Sequence, residues 1–314
     1  MGKITSPLGR DVVNHIEYDG FGRQTKDFLP IPQSSTQNGA IFPTPLGNVS
    51  AIYGSEKIYA EKILENSPLD RIQQQIQVGT DWSTKPVKFS YDANTVADRV
   101  KKFTPSTIWE NGATKSTLGE NWLYTDAQLY KNSVKDEDGN ETIEFKNGQG
   151  QTILLRKVIA NDEYADTYYV YNEYNQLAYV IPPLASIRGG IATNTVKHDE
   201  LCYMYRYDGR NRLVEKKLPG KGWEYMLYDK QDRLVATQDT VLKEKGQWLY
   251  TKYDQFGRIA ITGIGTGYQR SVEQNTVDGF GSNNVNRVTT APFNRQGVDV
   301  YYGSQDSSYP NSSN

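Results

Sequence analysis

The sequence predicts a mostly β protein made of antiparallel β-hairpin repeats, arranged as an open array with at most one or two short helices. Three observations support this fold class. A hexapeptide pattern recurs along the 314 residues. One position of the pattern always holds a residue type that tolerates a left-handed backbone. Aromatic residues are frequent, with 23 Tyr, 9 Phe and 5 Trp against 3 Met and 1 Cys, as is typical of amphipathic strands rather than of a disordered chain.

The repeated hexapeptide reads Tyr-Asp, two variable residues and Gly-Arg in its clearest form. Five of its second residues stand at positions 147, 172, 208, 229 and 254, which are 25, 36, 21 and 25 residues apart. A period in the twenties is the sequence pattern of a repeat array. The six copies, two of them degenerate, are 18–23, 146–151, 171–176, 207–212, 228–233 and 253–258.

The hexapeptide has a direct physical interpretation as a hairpin turn. Its second residue, Asp or Asn, suits the first position of a type I turn, because the side chain can cap the N–H groups that follow. Three residues later a G1-bulge hairpin needs a left-handed residue, which Gly, Asn and Asp tolerate. Arg or Gln then follows and can pair back to the turn residue. The predicted turn residues are Asp19 with Gly22, Asn147 with Gly150, Asn172 with Asn175, Asp208 with Asn211, Asp229 with Asp232, and Asp254 with Gly257.

Short aromatic or β-branched segments flank these turns and predict the paired strands. Asp138-Gly139 is a further hairpin signal ahead of the first of them. The predicted strands are 141–145, 167–171, 201–207, 223–228, 234–237, 248–253 and 259–262.

The region before the array has weaker patterns. Frequent Pro, Gly, Ser and Asn between 30 and 54 predict an ordered loop or linker. Ser67 followed by Pro68 fits the start of a helical turn, while a strand at 72–78 fits equally well. Apolar residues at helical spacing predict a short helix within 94–103.

The region after the array is rich in Gly, Ser, Asn and Gln. It holds one strand-like piece at 298–302, and we expect a mobile tail at 304–314. The chain therefore divides into a β-rich N-terminal region with long loops (1–140), the hairpin array (141–263) and a β-poor polar segment (264–314).

The Tyr-Asp pattern with its spacing of 21 to 25 residues resembles the YD repeat of RHS-repeat proteins of the bacterial surface or secreted type. Segment 59–82 resembles, more loosely, the region that precedes the repeats in one bacterial branch. The resemblance implies a hairpin ribbon that spirals into a hollow shell, of which this chain would form an open part. It also implies an N-terminal fragment whose partner is the rest of a larger RHS-type polypeptide, located outside the cell or at its surface. Such a wall would scaffold or encapsulate a C-terminal toxin or effector region that this chain lacks.

Candidate catalytic residues are few. The two histidines, His15 and His198, are far apart, and Cys202 lies within a predicted strand, where a small buried hydrophobe is expected. No dinucleotide or Walker motif occurs. Residues 136–140 resemble a calcium loop, but the glycine stands at loop position 4 instead of 6, so we expect a hairpin tip. We therefore expect no enzymatic activity, no cofactor and no metal site.

Composition also limits the partners. With 35 basic and 37 acidic residues the net charge is −2, which gives no reason to expect nucleic-acid binding. No apolar run approaches the roughly 18 residues of a membrane span. The many Tyr and Trp residues leave an alternative open, a surface module that binds a glycan or a partner protein through exposed rings. We favour the structural role, because most of these rings fall in predicted strands, where they form cross-strand pairs.

Overall fold

A computed structural model describes residues 2–5, 9–37, 41–187, 200–290, 292–295, 297–303 and 308–310. His198 and most of the predicted tail 304–314 lie outside these residues.

The strands of the first half are short at the start and longer toward the array. In chain order they are β1 (Gly2–Thr5), β2 (Asp11–Asn14), β3 (Lys26–Phe28), β4 (Ile31–Pro32), β5 (Tyr59–Leu64), β6 (Ile72–Ile76), β7 (Val87–Ala93), β8 (Lys101–Glu110), β9 (Ala113–Leu123), β10 (Tyr130–Lys135), β11 (Glu141–Lys146) and β12 (Thr152–Ala160).

The strands of the second half are of five to nine residues until the last two. They are β13 (Glu163–Tyr171), β14 (Leu177–Ile181), β15 (Tyr203–Tyr207), β16 (Leu213–Leu218), β17 (Gly222–Tyr228), β18 (Leu234–Gln238), β19 (Gln247–Tyr253), β20 (Ile259–Thr266), β21 (Phe293–Arg295) and β22 (Val298–Val300). Among the described residues the helices are α1 (Val49–Tyr53), α2 (Pro183–Ile187), α3 (Thr240–Glu244) and α4 (Arg270–Gly279), with one 3₁₀ turn at Val96–Asp98.

The chain forms two compact units. The first consists of Met1–Arg99 and Tyr124–Ala165, and the second of Val100–Leu123 and Asp166–Asn314. The three-part division by composition, with boundaries at 140 and 263, stays a prediction.

The first unit contains two antiparallel sheets. A small sheet has the order β1-β2-β4, and a larger one has the order β3-β5-β6-β7-β10-β11-β12. Alternate side chains of β11 and β12 are buried, namely Ile143 and Phe145 on one strand and Leu154 and Arg156 on the other. This period of two is what places one face of a strand against a core.

The second unit contains the strands of the later repeats. The sheet runs in chain order from the part of β13 that begins at Asp166 to β20, and each strand is antiparallel to the next. The long β8–β9 hairpin and the short β21–β22 hairpin are separate from it. Each predicted strand of the array is present, with both ends within four residues of the expected bounds.

The predicted fold class is confirmed: the protein is mostly antiparallel β, and its large sheet is open and does not close into a barrel. The described residues hold four α-helices instead of one or two. Three of them are single turns of five residues. The fourth, α4, has ten residues and lies in the segment from which we expected little regular structure.

The α4 helix escaped prediction because its buried stripe is polar. Arg270, Glu273 and Val277 lie at helical spacing and are all buried, but only Val277 is apolar. A search for apolar periodicity therefore finds no signal.

In the first unit the structure decides between helix and strand in two segments. Segment 72–78 forms strand β6, and no helix begins at Ser67. The prediction of a helix within 94–103 was wrong, because only one 3₁₀ turn forms there. Arg99 adopts a left-handed φ of +54°, and strand β8 starts two residues later. The backbone is thus redirected before a second helical turn can form.

A hydrophobic core of the second unit lies between β17–β19 and α4. Leu227, Val235, Trp248 and Val277 are each at most 2% exposed, and Tyr309 packs against the same cluster. Burying one large aromatic side chain such as that of Trp248 contributes roughly 4–6 kcal/mol before the cost of ordering the chain. This core holds the strands of the last repeats in fixed register.

Candidate functional site: the repeated hairpin turns

The six predicted turns have one backbone geometry. The N–H of the first Asp or Asn donates to the carbonyl four residues later at 2.9–3.1 Å, and the N–H three residues later donates back at 3.0–3.1 Å. These two bonds close a reversal in which the fourth residue is left-handed. Its φ is +78° at Gly22, +80° at Gly150, +60° at Asn175, +63° at Asn211, +60° at Asp232 and +74° at Gly257.

A β-bulge adjoins five of these turns. The register of the two paired strands shifts between the residue that precedes the turn Asp or Asn and its own predecessor. Tyr207 consequently pairs with Leu213, and Tyr228 pairs with Leu234. The extra residue lies on the strand that follows the turn, as Val214 does after the turn at Asp208, and it adds local twist there.

The side chain of the first turn residue caps the reversal. Its Oδ1 accepts the N–H groups two and four residues later at 2.9–3.0 Å in all six copies. In the four Asp copies, Oδ2 accepts Nε–H of the Arg four residues later at 2.7–2.8 Å. In the two Asn copies the direction reverses, and Nδ2 donates to the Oε1 of Gln at 2.7–2.8 Å. Asn–Gln thus replaces Asp–Arg as a pair.

These contacts favour the charged form of the Asp19 and Asp254 carboxylates. At Asp19 the backbone N–H of Arg23 is the largest cause of a pKa below the ordinary value. At Asp254 burial acts to raise the pKa, but the N–H groups of Arg258 and Phe256 and the guanidinium of Arg258 outweigh it and lower the pKa. Hydrogen bonds to an ionised carboxylate act in this direction.

A seventh turn of the same kind begins at Asp136, where we expected only a hairpin tip. Asp136 N–H donates to the Asn140 carbonyl at 3.0 Å, and its Oδ1 accepts from the N–H groups of Asp138 and Asn140 at 3.1 and 2.8 Å. Gly139 has a φ of +90°. The sequence signal was Asp, Gly and Asn at the same spacing, without the Tyr and Arg that mark the other copies.

The tyrosine before a turn bonds to the previous hairpin. In three copies the hydroxyl donates to the carbonyl of the first residue after the preceding turn, at 2.8–3.0 Å. The pairs are Tyr207 with Leu177, Tyr228 with Leu213, and Tyr253 with Leu234. This explains the Tyr of the hexapeptide: it joins one copy to the copy before it.

The last residue of a turn bonds to the next turn. Gln176 Nε2 donates to Asn211 Oδ1 at 2.8 Å. At the same position of the following copy, Arg212 donates to Asp232 Oδ1 at 2.8 Å and to the Asp229 carbonyl at 3.0 Å. We call these bonds the inter-turn ladder. The left-handed residues Asn211 and Asp232 are thus also the acceptors for the turns before them.

The ladder changes where Gly257 occupies the acceptor position. Arg233 lies over the Tyr253 ring at 5.0 Å, as Arg212 lies over Tyr228. Because Gly257 has no side chain, Arg233 donates instead to Asn284 Oδ1 at 2.8 Å and to the Ser282 carbonyl at 3.0 Å. A loop after α4 therefore supplies the acceptor that the turn lacks.

The last copy presents its arginine to solvent. The Arg258 side chain is 71% exposed, whereas those of Arg212 and Arg233 are 15% and 13% exposed. Within its own turn Arg258 bonds Asp254 and lies over the Phe256 ring at 5.0 Å. Its remaining N–H groups face outward from the described array.

The other candidate residues lie away from the turns. His15 stacks edge-on against Phe28 at 4.8 Å in the first unit. Cys202 is buried in the second unit, and burial raises the pKa of its thiol to about 11, so it is protonated in neutral solution. Within the described part of the chain no group of three or more His, Cys, Asp and Glu could hold a metal ion.

The aromatic side chains divide into two classes. Most of those in the repeat strands are buried or half-buried, with Tyr168, Tyr179 and Trp248 at most 6% exposed. On the β8–β9 hairpin, by contrast, Trp109 is 50% and Trp122 is 92% exposed. They stand near opposite ends of the hairpin and thus do not make one continuous stacking surface.

Comparisons with known proteins give a partial family match and a fold match. A family of proteins with a domain of unknown function, DUF6443, matches residues 1–95. No curated protein matches the chain. The Tc holotoxin pore of Photorhabdus luminescens with a mutated TccC3 is similar to this structure, with a TM-score of 0.51 and 12% identity over 86% of this chain.

Two further solved structures are similar at a lower score. A TcdB2-TccC3-TEV crystal structure has a TM-score of 0.44 and 15% identity over 83% of this chain and 11% of its own. The crystal structure of TcdB2-TccC3 without its hypervariable C-terminal region has a TM-score of 0.46 and 13% identity over 86% of this chain and 12% of its own.

The holotoxin match establishes a shared fold. This chain spans only 12% of the length of the holotoxin chain that it matches. Separately, among the described residues no helix is long and apolar enough to cross a bilayer.

Proposed function

We propose that this chain forms part of the wall of a larger RHS-type polypeptide. The wall is a stack of hairpins that scaffolds or encapsulates a toxin or effector region, outside the cell or at its surface, and it carries no catalytic residues of its own. The inter-turn ladder is the observation that carries this proposal.

The ladder favours a wall because polar groups of the repeats form hydrogen bonds between neighbouring copies. Gln176 and Arg212 each bond the following turn, and the tyrosine hydroxyls bond the preceding one. A repeat whose donors and acceptors match those of its neighbours extends into an array in which each unit contacts only the next. The fold shared with part of the holotoxin chain, together with the YD pattern, supports the same role.

The exposed arginine of the last copy fits this role. Arg258 occupies the position from which Gln176 and Arg212 bond the next turn. A further hairpin with Asn or Asp at its left-handed position would complete the ladder there. The wall proposal therefore expects downstream sequence to continue the repeat.

The test uses the complete polypeptide that contains this chain. Electron microscopy should find a hollow particle, and limited proteolysis should cleave the downstream region at least about tenfold more slowly than the same region expressed alone, because a folded wall excludes the protease. An extended particle with no enclosed space, or equal cleavage rates, would rule the proposal out.

A further inference from the structure

One row of side chains crosses four neighbouring strands on a single face of the second unit's sheet. The strand register places Arg206 opposite Glu215, Glu215 opposite Tyr225, and Tyr225 opposite Gln238. Residues directly opposite each other in antiparallel strands have Cβ atoms about 5 Å apart on the same face. The array thus lays four polar side chains side by side, one from each of β15, β16, β17 and β18.

A cavity of about 200 Å³ lies over this row. The first turn of α4 contributes Arg270 and Ser271 to its lining, and α3 contributes Lys243. All these elements belong to the second unit. The volume is several times that of a water molecule, so a group of several heavy atoms can enter.

The charges that line this cavity do not balance. Glu215 accepts from Arg206 at 2.9 Å through one oxygen and from Arg270 at 2.8 Å through the other. Arg270 also bonds the Asn111 carbonyl. With Lys243 included, the described lining holds three cations and one carboxylate, and that carboxylate is already bonded through both oxygens. The Arg270 side chain is only 4% exposed, so water compensates its charge poorly.

The cavity also has an excess of hydrogen-bond donors. Lys243 Nζ donates to the Tyr225 hydroxyl at 2.7 Å, which leaves two ammonium hydrogens and the phenol hydrogen for another acceptor. The N-cap residue of α4, Gln269, makes no side-chain capping bond, so the positive end of the helix dipole adds to the field. Positive charge and surplus donors together suit one class of ligand.

We propose that this cavity binds an oxyanion, a phosphate or a carboxylate, held by Lys243, Tyr225 and the buried guanidinium of Arg270. The site is independent of the wall proposal, because it uses the face of the sheet and the cover formed by α3 and α4 rather than the turns. The oxyanion has two possible sources, a free phosphorylated compound or an acidic side chain of another polypeptide segment.

Isothermal titration of the whole chain with potassium phosphate, at an ionic strength held constant with potassium chloride, tests the site. A second titration with a blocked hexaglutamate peptide distinguishes the sources, since tighter phosphate binding indicates a free anion and tighter peptide binding indicates an acidic segment. Lys243→Gln should weaken the preferred probe about tenfold, the loss expected for one charge-assisted hydrogen bond. Tyr225→Phe, which removes one hydroxyl, should weaken it less.

Lys245→Gln is the matched control, because Lys245 is an exposed lysine two residues away that does not line the cavity. It should leave both affinities unchanged. If neither probe binds more tightly than chloride, or if the two lysine variants lose affinity equally, the cavity is not an oxyanion site. Circular dichroism on each variant verifies that the fold is intact.

Discussion

At the scale of single residues, each turn depends on two positions. The first residue caps two N–H groups, a task that Asp and Asn perform equally, as Asp254 and Asn172 demonstrate. The fourth residue must be left-handed. This conformation destabilises an L-residue with a Cβ by roughly 1–2 kcal/mol, unless the residue is Asn or Asp. The residue types seen at these positions follow from these two requirements.

Two glycines of one turn provide a sharp test at this scale. Gly150 has a φ of +80° and Gly148 is outside the left-handed region, while a Cβ on either would meet no atom within 4 Å. Gly150→Ala should therefore lower the free energy of unfolding by about 1–2 kcal/mol. Gly148→Ala should raise it by about 0.4–1 kcal/mol, because it restricts the unfolded chain.

Urea denaturation of the two variants beside the unaltered chain measures both changes. The expected result is opposite signs within one turn. Equal losses would mean that space, rather than φ, constrains the turn.

At the scale of elements, neighbouring hairpins are joined by more than strand pairing. At the turn that begins at Asp208, Tyr207 bonds backward and Arg212 bonds forward, so this hairpin is fixed at its turn end from both sides. Where an acceptor is missing at Gly257, the loop after α4 replaces it. The order of the hairpins is thus reinforced at the turns.

Arg212 and Arg258 form a matched pair for this ladder. Both bond the Asp of their own turn, but only Arg212 continues to the next one. Arg212→Lys should cost about 1–2 kcal/mol, because a lysine cannot keep the bonds to Asp208, Asp229 and Asp232 together. Arg258→Lys, on an exposed side chain, should cost less than about 0.5 kcal/mol.

Thermal and urea unfolding measure the change in the free energy of unfolding for each variant. Because both arginines bond the Asp of their own turn, the loss of that bond cancels when the two changes are subtracted. If the two substitutions cost the same, the ladder does not contribute to stability, and the wall proposal loses its main support.

At the scale of the whole molecule, several tyrosines have buried or half-buried phenol groups. Among the described residues seven tyrosines have a pKa raised above the ordinary value, with burial the largest cause at each. Burial raises the pKa of Tyr207 to about 12. Tyr309, next to the Glu273 carboxylate, is shifted in the same direction. A phenol buried in this way must stay protonated for the fold to persist.

The molecule should consequently be sensitive to alkali. Above about pH 10 the unfolded chain loses phenolic protons that the folded chain retains, so the free energy of unfolding falls as the pH rises. The contribution of Tyr207 to the free energy of unfolding is complete below about pH 10 and is lost between about pH 10 and about pH 12.

Urea unfolding at several pH values from 8 upward, followed by phenolate absorbance, measures the slope. Tyr207→Phe should reduce the slope, even though it also removes the bond to Leu177. Tyr130→Phe, on a ring that is 62% exposed, is the control and should leave the slope unchanged. A slope that is the same in all three proteins would contradict the prediction.

The sequence by itself determined the local structure: the six turns, their left-handed residues and the strands beside them. These depend on short-range sterics and hydrogen bonds, which residue type and spacing specify. It did not reveal that the predicted hairpin tip at Asp136, which lacks the Tyr and Arg of the pattern, has the geometry of the repeat turns, or that α4 exists, because its buried stripe is polar. Only the tertiary structure decided that Arg212 reaches Asp232 and that Arg206, Glu215 and Arg270 meet under one cavity. Such contacts join residues 9 to 55 positions apart, so strand register and packing fix them, and no local rule contains that information.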